Sequence, residues 1–135
     1  MQTGTSPARK KTILVVEDET FVRQVASEIL ESAGYLVLQA SNATDALLAF
    51  KQHDGRVDVL LTDVVMPGKN GRDLACELKA MCPSVRTIFM SGYTDNAVLR
   101  HDLQEHNSSY LYKPFSMDRL TSKVREVLEE PEEVI

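Results

Sequence analysis

Tryptophan is absent from the chain, and four phenylalanines and four tyrosines leave it only 6% aromatic. Platforms for stacking on bases or sugars are therefore scarce. Basic charge is short as well: 15 Lys and Arg stand against 20 Asp and Glu, a formal net charge of -5. Phosphate backbones demand a basic face, so this balance argues against direct DNA or RNA binding. No apolar run approaches the roughly 18 residues of a membrane span, and no signal-peptide core is present. Only two cysteines occur, Cys76 and Cys82. On one helix they would stand about 9 Å apart along the axis, beyond disulfide reach. They form no CxxC and have no histidine at ligand spacing, which argues against zinc. Two reduced thiols fit a cytoplasmic protein that makes no membrane contact through this domain.

What is present suits one soluble domain. The 135 residues are 43% hydrophobic and 26% charged, and a domain of about this size buries roughly 70% of its unfolded surface without staples. Residues 1–11 (MQTGTSPARKK) are polar and broken by Gly and Pro, and read as a linker. Residues 130–135 read as an acidic tail or linker, leaving a domain over 12–129.

Within it, short apolar runs alternate with helical patterns. Thr12–Val16, Tyr35–Ala40, Val57–Thr62, Arg86–Met90 and Ser109–Tyr112 read as strands, the first buried on both faces. Apolar residues at Val22, Val25, Ala26, Ile29 and Ala33 recur at helical spacing, closed by Gly34. Asn42 can cap a second helix with Ala43, Ala46, Leu47 and Phe50 inward. Leu74, Ala75, Leu78 and Met81 make a third apolar face, ended by Pro83. Thr94–Glu105 is helical in propensity with a thin apolar face, and Ser116 caps a last helix with Leu120, Val124, Val127 and Leu128 inward. Strand then helix, five times over, implies an α/β doubly wound parallel sheet with right-handed crossovers. Ligands in such sheets bind at the carboxyl ends of the strands.

Those ends carry Glu17 and Asp18 after the first strand, Asp63 after the third, Ser91 and Gly92 after the fourth, and Lys113 after the fifth. Each alone has an ordinary explanation as a helix-start acid, a turn former or a surface lysine. Together they crowd three carboxylates, an excess of two negative charges over Lys113. A hard divalent cation such as Mg²⁺ fits that excess. A cation held by few carboxylates keeps positions open for a phosphoryl group, with Lys113 and the Ser91 hydroxyl on its other oxygens. One carboxylate can then be the nucleophile, and Asp63 is central among them.

The runs ILVVEDE, LLTDVVMPGKNG, MSGY and YLYKPF, in this order, resemble the receiver (response-regulator) domain of two-component signalling over roughly Lys11 to Glu129. The resemblance implies a flavodoxin-like (βα)5 fold with strand order 2-1-3-4-5. It implies that Asp63 is the phosphoacceptor and that the domain catalyses its own phosphorylation and dephosphorylation. Asp18, Asp63 and the Val65 backbone carbonyl would bind Mg²⁺, with Mn²⁺ as an alternative, and Glu17 would act through a water. Ser91 and Tyr110 match the switch hydroxyl and switch aromatic, and their switching would alter the face of the fourth helix, fifth strand and fifth helix. Lys113-Pro114 would be a cis peptide. Val65 and Tyr93 occupy positions that tune the lifetime of the phosphoryl group. The acidic pair departs from the usual Asp-Asp, since Glu17 is the longer residue.

Other classes fit less well. A phosphatase of the haloacid dehalogenase kind needs an Asp two residues after its nucleophile, where this chain has Val65. A flavodoxin-like cofactor binder needs a phosphate loop where Glu17, Asp18 and Glu19 would repel phosphate. His101 and His106 read as surface residues rather than phosphodonors. MSGYTDNAVLRH, DVVMPGKNG and KVREVLEE look most like receivers at the carboxyl end of hybrid sensor histidine kinases; the alternative is a stand-alone single-domain regulator. The partners implied are a histidine kinase or its phosphohistidine domain, and a histidine phosphotransfer protein or downstream regulator.

Overall fold

The structure, a computed structural model, describes residues 10–66, 68–92 and 109–129. Five parallel strands, β1 (Thr12–Val16), β2 (Leu36–Ala40), β3 (Val59–Asp63), β4 (Arg86–Ser91) and β5 (Ser109–Tyr112), form one sheet in the order β2-β1-β3-β4-β5. Helices α1 (Thr20–Ser32), α2 (Ala43–Gln52) and α3 (Gly71–Met81) and a C-terminal helix (Met117–Glu129) cover its two faces. This is the expected doubly wound order. The expected helix Thr94–Glu105, with Tyr93, His101 and His106, lies outside the described residues, as do residues 1–9 and 130–135.

Alternation along each strand sorts the core into two layers, because successive side chains leave a strand on opposite faces. Ile13 and Val15 of β1, Val59 and Leu61 of β3, Ile88 and Met90 of β4 and Leu111 of β5 pack with Ala26 and Leu30 of α1 and with Leu120, Val124 and Val127 of the C-terminal helix. Leu14 and Val16 of β1 and Leu60 of β3 pack with Ala46 and Phe50 of α2 and with Leu74 and Leu78 of α3. Both β1 and β3 are buried throughout, which is why they read as unbroken apolar runs.

Local signals fix the helix ends. Asn42 accepts from the Asp45 N–H at 2.8 Å and Asn70 from the Asp73 N–H at 2.8 Å, each satisfying an orphan donor of a first turn. Ser116 accepts from the Arg119 N–H at 3.1 Å. Gly34, at φ 100, lets the Tyr35 N–H reach back to the Leu30 carbonyl at 3.1 Å and closes α1.

Several expectations need correction. β2 begins at Leu36, one residue after Tyr35, whose N–H is spent on closing α1. Ordered pairing of β3 begins at Val59 rather than Val57: the Asp58 side chain accepts from the Thr12 N–H at 2.7 Å and anchors the strand's entry instead. Met81, expected on the inward face of α3, is 46% exposed at the helix's last residue. Cys82 falls just beyond α3, and its thiol lies 3.6 Å from the Val57 carbonyl.

Candidate metal and phosphoacceptor site

The strand rows that build one core layer run on into the polar site. Ile13 and Val15 are followed two residues later by Glu17, Val59 and Leu61 by Asp63, and Leu111 by Lys113. The parallel ladder continues to Lys113, whose N–H donates to the Ser91 carbonyl at 2.9 Å. The three polar groups therefore meet above one apolar layer, beside the crossing of β1 and β3 where strand order reverses.

Their contacts are close. Lys113 Nζ donates to Glu17 Oε1 at 2.9 Å and stands 2.7 Å from Asp63 Oδ1. Glu17 and Asp63 are buried, while Lys113 is part-exposed. Oxygens of Glu17, Asp18 and Asp63 all lie within 4.8 Å of one another, and Asp18 is the exposed member. The resemblance gave Glu17 a role through water. Both its oxygens are already engaged, Oε1 by Lys113 and Oε2 by the Glu19 N–H at 3.0 Å.

The charges disturb one another. Burial raises the Asp63 carboxyl, the neighbouring Glu17 raises it further, and Lys113 only partly opposes them, leaving it pushed up to about 8. Burial also acts to raise Glu17, but its contacts with Asp63, the Glu19 N–H and Lys113 outweigh that, and it lies below its usual range. Burial and then Glu17 raise Asp18. Burial would lower Lys113, yet the two carboxylates beside it hold it above its ordinary value.

One atom bears on the metal. Asp63 Oδ1 is buried and, despite its charge contact with Lys113, has no aligned hydrogen-bond donor. A buried acceptor without a directed donor is costly. Hard oxygen ligands from three carboxylates are the donor set that Mg²⁺ or Mn²⁺ favours, so these residues fit a divalent cation. It would replace the proton that Asp63 otherwise retains.

The loop after Asp63 is pinned at both ends. Val64 N–H donates to the Met90 carbonyl at 3.1 Å, and Gly71 N–H donates to the Val64 carbonyl at 2.9 Å. Val65, between them, is 57% exposed. Gly71 was not among the expected site residues, yet a Cβ there would stand 1.9 Å from the Asp63 carbonyl oxygen. Its signal was only a glycine at a helix start, eight residues after Asp63.

Ser91 and Tyr110 are placed differently. Ser91 is fully buried, and its hydroxyl makes a long 3.4 Å bond to the Gly92 carbonyl. It shares an alternate row with Phe89, on the opposite face from the Met90 row. Half-buried Tyr110 packs on that face against Val64 and Phe89. Lys113-Pro114 is cis, as the resemblance implied. A groove of about 360 Å³ lies to one side, lined by Arg23, Gln39, Ser41, Asp45, Leu48 and Gln52 among others, and contains none of the three carboxylates. Among the described residues no helix is long and apolar enough to cross a membrane.

Residues 13–125 match the response regulator receiver domain family. The chain is 36% identical over 129 residues to the sensor kinase CckA of Brucella abortus, covering 96% of this chain and 14% of that protein. It is 35% identical to the DNA-binding transcriptional regulator NtrC of a Bradyrhizobium strain, over 90% of this chain and 25% of that protein. The chain thus spans a minor part of these relatives. Among solved structures, a response regulator receiver domain protein from Clostridium thermocellum superposes with a TM-score of 0.76 at 30% identity, covering 87% of this chain and 94% of that one. The receiver domain of the hybrid histidine kinase CckA superposes at 0.72 and 31% identity, covering 87% and 99%. The chain belongs to the receiver domain family of two-component systems.

Two predictions follow from the geometry. Gly71→Ala must displace the Asp63 backbone or the start of α3, so it should cost at least about 1–3 kcal/mol, as overpacking does. Urea denaturation reads this, and an unchanged midpoint would contradict the close approach. The second concerns pH. In chelator, native Asp63 keeps its proton up to about pH 8, whereas the unfolded chain releases it near pH 4. The native state then binds more protons than the unfolded one between those values. Stability must fall as pH rises through that window, with a limiting slope of about 1.4 kcal/mol per pH unit. Asp63→Asn should abolish the fall, and parallel wild-type and variant profiles from pH 5 to 8 would refute the raised carboxyl.

Proposed function

We propose that this member of the receiver family accepts a phosphoryl group from a phosphohistidine on Asp63 and later loses it to water. The observation that carries the proposal is the buried Asp63 carboxylate, with one oxygen lacking an aligned donor, beside Lys113 and two further acids. Asp18, Asp63 and the Val65 backbone carbonyl would hold Mg²⁺, with Mn²⁺ as a substitute, and Glu17 would act from outside through a water. The engagement of both Glu17 oxygens supports that outer role. The bound cation supplies positive charge to the phosphoryl oxygens.

An Asp63 oxygen attacks phosphorus in line, the P–N bond to the imidazole breaks, and the leaving imidazole takes a proton from solvent. Lys113 stabilises charge on the phosphoryl oxygens, and the Ser91 hydroxyl donates to one of them. Hydrolysis reverses the modification: water attacks phosphorus, the P–O bond to Asp63 breaks, and inorganic phosphate leaves. By the family resemblance, Val65 and Tyr93 occupy positions that tune how long the phosphoryl group survives. Inward movement of Ser91 frees space that Tyr110 fills, changing the surface around β5 and the C-terminal helix.

Residues 12–129 are the receiver, with 1–11 and 130–135 as flanking linkers. We assign it to a hybrid sensor histidine kinase in the cytoplasm, a reading supported by the likeness to the CckA sensor kinase and to its receiver domain. The kinase's own phosphohistidine supplies the group, and a histidine phosphotransfer protein or downstream regulator takes it on. Tethering places donor and acceptor at an effective concentration of the order of mM for a short linker, so transfer needs no tight docking. The acid balance of the chain supports a role without nucleic acid, and the domain makes no membrane contact.

Intact-mass analysis after acetyl phosphate treatment should show one added phosphoryl group in Mg²⁺, and none in chelator or in Asp63→Asn. Equal labelling of Asp63→Asn would remove the assignment. For the parent protein, an antibody to this domain should detect a native polypeptide far heavier than 15.1 kDa. A lone band at that size would end the hybrid-kinase reading and leave the receiver chemistry standing.

A further inference from the structure

The turn between β1 and α1 carries a cation where helix electrostatics alone would not put one. Thr20, Phe21, Val22 and Arg23 open α1, and that first turn holds no acidic residue. Positive charge is disfavoured at the positive end of a helix dipole. The Arg23 guanidinium turns back along the chain, and its Nη1 donates to the Glu17 backbone carbonyl at 2.7 Å. The helical ladder opens with the Arg23 N–H on the Glu19 carbonyl at 3.0 Å, so the Glu17 carbonyl precedes it and takes a side-chain donor.

Glu17 is thereby held at four polar groups. Its N–H donates to the Ala40 carbonyl at 3.1 Å, its carbonyl accepts from Arg23, Oε2 accepts from the Glu19 N–H, and Oε1 accepts from Lys113. Asp18 sits between the two residues so fixed, Glu17 and Glu19. We infer that Arg23 is a positioning residue for the cation site: it ties the Glu17 carbonyl to α1 and so fixes the peptide that presents Asp18 towards Asp63. The inference rests on the metal reading given above. Charge and position act here with opposite signs. Removing a positive charge from the turn that carries Glu17 and Asp18 should by Coulomb's law strengthen Mg²⁺ binding, whereas freeing the peptide that carries a ligand should weaken it.

Calorimetric Mg²⁺ titration of the whole chain separates the two, with thermal unfolding in chelator run alongside. Arg23→Gln should weaken Mg²⁺ binding about tenfold, the lower range for outer partners of metal ligands. Arg23→Lys, which keeps a donor on a long stem, should recover most of the loss. Equal or tighter binding by Arg23→Gln overturns the positioning role, because charge then dominates. A wild-type chain that binds no Mg²⁺ overturns the metal reading itself. If Arg23→Gln does not fold, the wild-type protein supplies the same decision by NMR. Arg23 side-chain N–H signals should exchange slowly and shift on Mg²⁺ addition, and signals indifferent to saturating Mg²⁺ overturn the role.

Discussion

The ammonium of Lys113, set between Glu17 and Asp63, is the contact on which the site depends. Two carboxylates buried side by side repel, and burial makes each ionised form costly. A single lysine meets both, at 2.9 Å and 2.7 Å. It does not balance them. Asp63 responds by holding a proton into the neutral range, while Glu17 stays ionised below its usual value. The pair is thus poised to exchange a proton for a stronger cation at one buried oxygen. The polar edge stores an unfavourable arrangement that binding can relieve.

Only a rigid scaffold can impose such crowding. The two central strands are buried on both faces, and their register leaves little freedom: Val16 pairs with Thr62 and Asp63 with Met90. A slip of one residue would turn Glu17 or Asp63 out of the row it shares with the apolar core. The same constraint explains Gly71. A helix must begin against the Asp63 carbonyl if the loop after β3 is to stay short, and no side chain fits there. Close approach of one backbone to another is a common reason for a glycine.

Much of this was legible in the sequence because buried parallel strands write themselves as apolar runs. The positions directly after those runs must then lie on one edge, which is how Glu17, Asp18, Asp63, Ser91 and Lys113 could be assembled before any coordinates. Arg23 and Gly71 were not legible as site residues. Each acts through a backbone carbonyl, six and eight residues away respectively, and neither periodicity nor charge pattern records a bond to the main chain. Met81 failed for another reason. It keeps the helical period of Leu74 and Leu78 but is the last residue of α3 and 46% exposed, and period alone does not say how far the partner surface extends. The charge count made from sequence set three acids against Lys113 alone, whereas Arg23 brings a second cation to the same turn.

The end of the sheet draws polar side chains from both of its faces. Asp63, Glu17 and Lys113 continue the rows that pack on α1 and the C-terminal helix, whereas Ser91 and Tyr110 belong with Val64 and Phe89 on the other side. Two backbone links join them there: the Lys113 N–H donates to the Ser91 carbonyl, and Asp63 leads directly into Val64, whose N–H donates to the Met90 carbonyl. Val64 thus connects the Asp63 backbone to the cluster it forms with Phe89 and Tyr110. Close-packed interiors resist gradual deformation. This cluster is small, holding two buried side chains and a half-buried tyrosine, so it has fewer packed neighbours to constrain it than the two main core layers. Asp63 thus ends a row backed by a continuous buried core, whereas Tyr110, beyond Phe89, is only half-buried.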